Sequence, residues 1–124
     1  MNKKIGARFR LWLEIDDKPI LGKGGALLLE DIQITGSIHK ATEGGGRSKR
    51  MSYRYAWGLI RKIEERLGRK IVKTYRGGVA GGGAQLTSEG TQLLQFYCTL
   101  EKTLNEALKE ALEKISKDQD PFSL

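Results

Sequence analysis

SYRYAWGLIRKIEERLG, residues 52–68, is the stretch on which the fold turns. Ala56, Leu59, Ile60, Ile63 and Leu67 fall at i, i+3, i+4, i+7 and i+11, an apolar stripe along one side of a helix. Arg54, Arg61, Lys62 and Glu65 fall off that stripe. The Ser52 hydroxyl is suited to take up a first-turn N–H, and Gly68 is suited to end the helix. The pattern predicts one amphipathic helix from Ser52 to about Leu67.

Upstream, Lys23 to Thr35 carries Ala26, Leu27, Leu28, Ile32 and Ile34 and predicts a helix that stops before Gly36. Ser37 is placed to cap a second, short helix through Ile38 and Ala41. Gly44, Gly45 and Gly46 end or interrupt it, and Arg47-Ser48-Lys49-Arg50 follows. Nearer the start, Arg8 to Ile15 predicts a strand, closed by a turn at Asp16-Asp17-Lys18-Pro19. The paired Asp residues suit turn chemistry better than a metal or acid–base site. Trp12 and Trp57 are expected in the core.

Downstream, Lys70 to Tyr75 and Ala84 to Thr87 are short β-rich runs. Between them, Arg76 to Gly83 holds five glycines in eight residues. The segment predicts a hairpin whose loop is longer than the tight turns and projects from the body. The last helix starts at Ser88, capped by Thr87 or Ser88, and runs to about Ile115. Leu93, Tyr97, Leu100, Leu104, Ala107 and Ala111 step by 4, 3, 4, 3 and 4 along it, the spacing of a coiled-coil seam. Leu108, Leu112 and Ile115 widen that seam. A helix this long has more apolar face than the preceding body can cover, so a partner helix is expected there.

The element order is strand, three helices, hairpin, long helix. It predicts a mostly α fold with a small β wing: a winged helix-turn-helix plus a long C-terminal dimerisation helix. The expected divisions are 1–87 for the winged domain, 88–116 for the dimerisation helix and 117–124 for a flexible tail.

Charge points to the partner. The 124 residues carry a net charge of +7. Residues 39–76 alone hold 12 Lys or Arg against three Glu, a net of +9, so the rest of the chain is slightly acidic. Such a concentration suits a polyanion. No apolar run approaches the ~20 residues of a membrane span, and no h-region follows the basic start at Met1 to Lys4. A cytoplasmic, nucleoid-associated protein with no membrane partner is expected. Cys98 is the sole cysteine, which excludes an intrachain disulfide and a multi-cysteine zinc site; a packed core thiol and an interchain contact both remain open.

Catalytic motifs are missing. No Gly-x4-Gly-Lys-Ser/Thr and no strand-following Gly-x-Gly-x-x-Gly occurs. His39 is the one histidine, and no triad or metal-ligand set can be assembled around it. No catalytic residues, metal site or cofactor are expected. A DNA major groove, by contrast, accepts one α-helix, whose first turn reaches base edges. Ser52, Tyr53, Arg54 and Tyr55 form the first turn of the basic helix and are the expected readers. Arg47, Lys49 and Arg50 precede it and are placed to hold the backbone. Lys73 and Arg76, at the base of the hairpin, are placed to reach flanking phosphates or the minor groove. The hairpin glycines Gly77, Gly78, Gly81 and Gly82 let the backbone lie close to DNA. The expected dimer contacts are Leu93, Tyr97, Leu100, Leu104, Ala107, Leu108 and Ala111.

Three motifs together carry a resemblance. Gly36-Ser37-Ile38, then Met51-Ser52-Tyr53-Arg54-x-Ala56-Trp57, then Gly77-Gly78-x-x-Gly81-Gly82-Gly83-Ala84-x-Leu86-Thr87 with Gly90 resemble the N-terminal DNA-binding domain of molybdate-responsive (ModE-type) transcriptional regulators, relatives of the LysR-type domain. The resemblance covers about Arg8 to Leu100. It implies a winged helix, dimerisation through the last helix, and operator binding by the helix that begins at Ser52. It also implies that Ser52, Tyr53, Arg54 and the Gly77–Gly83 wing face DNA. Two departures stand out. His39 to Arg50 is about four residues longer than the family pattern and holds three glycines. The sequence also stops where a molybdate-binding module would begin, so molybdate sensing is not expected.

The expected function is a homodimeric, sequence-specific regulator on double-stranded DNA, with an inverted-repeat operator and no effector domain of its own. A non-specific architectural DNA-binding protein and a winged-helix protein-interaction module remain open beside it.

Overall fold

The computed structural model describes residues 5–43, 51–76 and 82–118. The elements are β1 (Leu13–Ile15), β2 (Lys18–Leu21), α1 (Lys23–Thr35), α2 (Ile38–Thr42), α3 (Tyr53–Leu67), β3 (Val72–Tyr75), β4 (Gly83–Leu86) and α4 (Ser88–Asp118). The fold is largely helical, with two small antiparallel hairpins, β1–β2 and β3–β4.

The first hairpin corrects the expected long strand. Residues 8–12 lie outside any strand, and Lys18–Leu21 pairs back on Leu13–Ile15. Asp16 and Asp17 make the two-residue turn between Ile15 and Lys18, with φ of 50° and 63°. Two successive left-handed residues match the twist of a hairpin, and Asp tolerates that conformation better than most side chains. Pro19 sits in β2 with one neighbouring strand, where a missing N–H costs little. Trp12 also departs from expectation. It is 50% exposed, with its indole N–H donating to Glu14 at 2.7 Å.

The helical body follows its caps. Gly36 ends α1 with φ 70° and donates its N–H to the carbonyl of Ile32. Ser37 caps α2 by accepting the N–H of Lys40. Thr35 braces the turn, its hydroxyl lying 2.7 Å from the carbonyl of Asp31 and 2.9 Å from that of Ser37. One core results. Leu21, Leu28, Leu29 and Ile32 meet Ile38 and Ala41 of α2, then Ala56, Ile60 and Ile63 of α3, with Ile71, Leu94 and Tyr97 closing it. Full burial of each large aliphatic contributes roughly 1.5–3 kcal/mol.

The stripe expected on α3 faces this core: Ala56, Ile60 and Ile63 are buried, and Leu59 and Leu67 are half-buried. Trp57 is half-buried against the same cluster. Helix α4 is capped by Thr87, which accepts the N–H of Gly90 at 3.0 Å. Gly90 crosses so close to Ile71 that a Cβ there would lie 2.1 Å from the Ile71 carbonyl oxygen, so only glycine fits.

Candidate nucleic-acid interface

Ser52 sets the start of α3. Its backbone is extended, and its hydroxyl accepts the N–H of Tyr55 at 3.1 Å. The first turn of any helix leaves N–H groups without intrahelical partners and carries partial positive charge. Tyr53, Arg54 and Tyr55 are all exposed around that turn, Tyr53 by 46% and Tyr55 by 58%. The expected readers are therefore brought together on one accessible helix end.

Three residues not expected at the interface from sequence, His39, Trp57 and Arg61, adjoin this surface. His39 of α2 meets the Tyr53 ring edge-on at 5.3 Å, and Tyr53 meets Trp57 edge-on at 6.4 Å. The Arg61 guanidinium lies over the Trp57 ring, 5.5 Å from its centre. Edge-to-face rings and a cation over an indole are both attractive arrangements. The result is a file running His39–Tyr53–Trp57–Arg61 across two helices. Its α3 members stand at i, i+4 and i+8, a spacing visible in the sequence. His39 joins from another helix and carried no such signal. His39 Nε2 also lies 2.7 Å from the Glu43 carboxylate.

The β3–β4 hairpin is fixed to α3 by Glu64, whose Oε2 accepts the N–H of Ile71 at 2.9 Å and of Val72 at 3.3 Å. Lys70 Nζ lies 3.6 Å from the other oxygen. Val72 is buried, whereas Lys73, Tyr75 and Arg76 are exposed. Gly82 has φ 102°, and a Cβ on it would lie 2.6 Å from the Tyr75 carbonyl oxygen. Lys73, Arg76 and Gly82 thus lie on or beside the hairpin strands as expected. Arg47, Lys49, Arg50, Gly77, Gly78 and Gly81 lie outside the described residues.

The residues expected on the α4 seam divide into two groups. Tyr97 is 1% exposed within its own chain. Its hydroxyl lies 3.3 Å from the Leu11 carbonyl and 3.2 Å from Glu101 Oε2. Lys23 Nζ pairs with Glu101 at 3.1 Å. Tyr97 is therefore core and presents nothing to a partner. Leu93 and Leu100 are half-buried. Beyond Glu101 the helix runs past the body: Leu104 is 38% exposed, Ala107 and Ala111 are exposed, and Leu108 is half-buried. Burial, with Glu101 next, pushes the Tyr97 phenol up to about 12. Burial and the Glu30 carboxylate, 3.5 Å away, push the Cys98 thiol up as well, which disfavours the thiolate. Among the described residues, no group of three or more His, Cys, Asp or Glu is placed to hold a metal ion. No helix among them is long and apolar enough to cross a membrane.

No family model matches the chain. Curated relatives at 31–35% identity over most of its length are transcriptional regulators of the ModE type, and the chain is ModE-like. The transcriptional regulator ModE of Haemophilus influenzae is 35% identical over 80 residues, which cover 64% of this chain and 30% of that protein. The DNA-binding transcriptional dual regulator ModE of Escherichia coli K12 is 31% identical over 101 residues, 82% of this chain and 37% of that protein. The molybdenum-pterin-binding protein MopB of Rhodobacter capsulatus is 32% identical over 98 residues, 79% of this chain and 35% of that protein. The chain thus spans about a third of the length of these relatives.

Proposed function

We propose that this chain is a dimeric, sequence-specific, double-stranded-DNA-binding module of transcriptional regulation, built as a winged helix-turn-helix and working on the nucleoid. The observation that carries this reading is the first turn of α3. It is capped by Ser52, exposes Tyr53, Arg54 and Tyr55, and stands on the most basic segment of the chain. In this reading α2 and α3 form the helix-turn-helix, and α3 enters the major groove. Arg54 makes a bidentate contact to guanine, worth roughly 1–3 kcal/mol of discrimination. The β3–β4 hairpin is the wing, with Lys73 and Arg76 on flanking phosphates. The name of the Escherichia coli relative, a DNA-binding transcriptional regulator, supports the same assignment.

The segment of α4 beyond Glu101 supplies the two-fold contact, through Leu104, Ala107, Leu108 and Ala111. Two recognition helices then read half-sites about one helical turn apart, in an inverted repeat.

Selection from a pool of randomised duplexes at two salt concentrations tests the reading. An enriched inverted repeat that persists at the higher salt is the expected result. Binding without enrichment that collapses as salt rises would instead assign the chain to architectural, counterion-driven binding. Failure to bind any duplex at low salt would leave the protein-interaction alternative.

A further inference from the structure

Gly58 is the sixth residue of a 15-residue helix, and it is exposed. A glycine inside a helix weakens it relative to alanine, because the unfolded chain gains freedom and no side chain shields the backbone. The other glycines with a demanding setting have visible reasons for being glycine. Gly36, Gly68 and Gly82 have positive φ. A Cβ on Gly25, Gly83 or Gly90 would run into Leu21, into Gly36 and Tyr75, or into Ile71. Gly58 has neither reason. Its φ is not positive, and a Cβ on it would meet nothing within 4 Å among the described residues. Gly24 is equally open, but it lies in the first turn of α1, where a helix tolerates glycine more easily.

The face around Gly58 is cationic. Arg54, Arg61 and Lys62 stand one turn away on either side, all exposed, with Glu65 two turns on. Arg61 is steadied over Trp57. A bare patch of helix backbone flanked by guanidinium groups is shaped for a polyanion that comes close and is held on both sides. We propose that Gly58 is the point of closest approach between α3 and duplex DNA: the missing side chain lets the helix seat deeply in the groove, with Arg54 and Arg61 above and below the contact. This rests on the duplex-binding reading. It extends the reading surface from the first turn of α3 into its second and third turns.

The experiment compares wild type, Gly58→Ala, Gly58→Leu and Gly24→Ala. Thermal unfolding gives stability, and anisotropy with a labelled mixed-sequence duplex of roughly 30 base pairs, about three helical turns, gives affinity. Gly58→Ala is expected to raise Tm by roughly 2–6 °C. It should also weaken duplex binding about 5-fold or more, and Gly58→Leu up to about 100-fold, as overfilling a close contact does. Gly24→Ala should leave affinity unchanged. Opposite signs for stability and binding are the signature. A Gly58→Ala protein that is stabilised and binds as wild type does overturns the proposal. So does one that loses stability, because Gly58 would then serve its own fold. If wild type binds no duplex, the duplex reading itself fails, and this proposal goes with it.

Discussion

The carbonyl oxygen of Gly36 accepts the backbone N–H of Ala84 at 2.8 Å, fastening the turn between α1 and α2 to β4. The bond joins residues far apart in sequence at the point where the helices and the second hairpin must keep a fixed relation. Gly83 sits beside it in a confined place: a Cβ there would lie 2.8 Å from both Gly36 O and Tyr75 Oη. Gly83→Ala should therefore displace the hairpin from the turn. A loss of about 1–3 kcal/mol in urea unfolding is expected. Duplex affinity should fall alongside, since the hairpin and α3 would no longer hold their relative position.

Ser52 has two separable effects. Removing its hydroxyl in Ser52→Ala leaves the Tyr55 N–H without its acceptor and should cost about 1 kcal/mol. Ser52→Asp restores a cap and should restore stability. It also places a negative charge where a phosphate is expected, so duplex binding should stay weak. Urea midpoints and duplex titrations on the two variants test this. An Asp variant that binds as tightly as wild type would remove Ser52 from the interface.

Much of this arrangement was legible in the sequence, because α1, α2 and α3 carry their own punctuation. Ser37 and Ser52 open helices, Gly36 and Gly68 close them, and the Ala56–Leu67 stripe fixes the buried face. The β1–β2 hairpin was hidden because Lys18–Leu21 contains a proline and alternates poorly, and its turn uses two Asp residues in left-handed conformation instead of glycine. Trp12 lies outside the core for a related reason. Residues 8–12 form no strand, so nothing turns its ring inward. The 4–3 spacing on α4 was real, but it cannot tell an intrachain from an interchain face. The body covers that side of the helix as far as Glu101, so one stripe is core at one end and open at the other. The Gly36–Ala84 bond joins backbone to backbone, and the side chains of neither residue take part in it.

Arg54 and Lys73 should behave differently if one reads bases and the other holds phosphate. Arg54→Ala should lower preference for the selected sequence over random duplex by roughly 1–3 kcal/mol. Lys73→Ala should weaken binding to both duplexes alike and reduce the salt slope by about 1. Competition titrations across a salt series separate these outcomes. Equal losses on both duplexes for Arg54→Ala would place it on the backbone.

The division of α4 predicts two kinds of variant. Leu104→Lys together with Leu108→Lys alters the part beyond Glu101 that the body leaves open. Sedimentation should show the protein shifting from dimer to monomer while the core stays folded. Tyr97→Ala removes a buried ring with 1% exposure and should instead destabilise the chain by about 3–5 kcal/mol. If the double lysine variant sediments as wild type does, the two-fold contact lies elsewhere.

Tyr97 also sets an alkaline limit on stability. Its ordinary value is 10.0, and burial, then the Glu101 charge and hydrogen bond, raise it to about 12 in the folded chain. The folded state therefore holds the phenol proton more tightly than the unfolded state does. Below pH 10 both states are protonated and the stabilisation is complete. As pH rises from 10 toward 12 the unfolded chain ionises first, and stability falls by an order of about 2 kcal/mol. The informative quantity is the difference between wild type and Tyr97→Phe, which isolates the Tyr97 phenol from the rest of the chain. The variant should be less stable at neutral pH, lacking the hydroxyl contacts to Leu11 and Glu101. It should also lose less stability between about pH 8 and about pH 11, because it has no phenol to ionise. Urea unfolding of both proteins at those two pH values decides the matter: parallel losses would mean that the Tyr97 proton is not linked to folding.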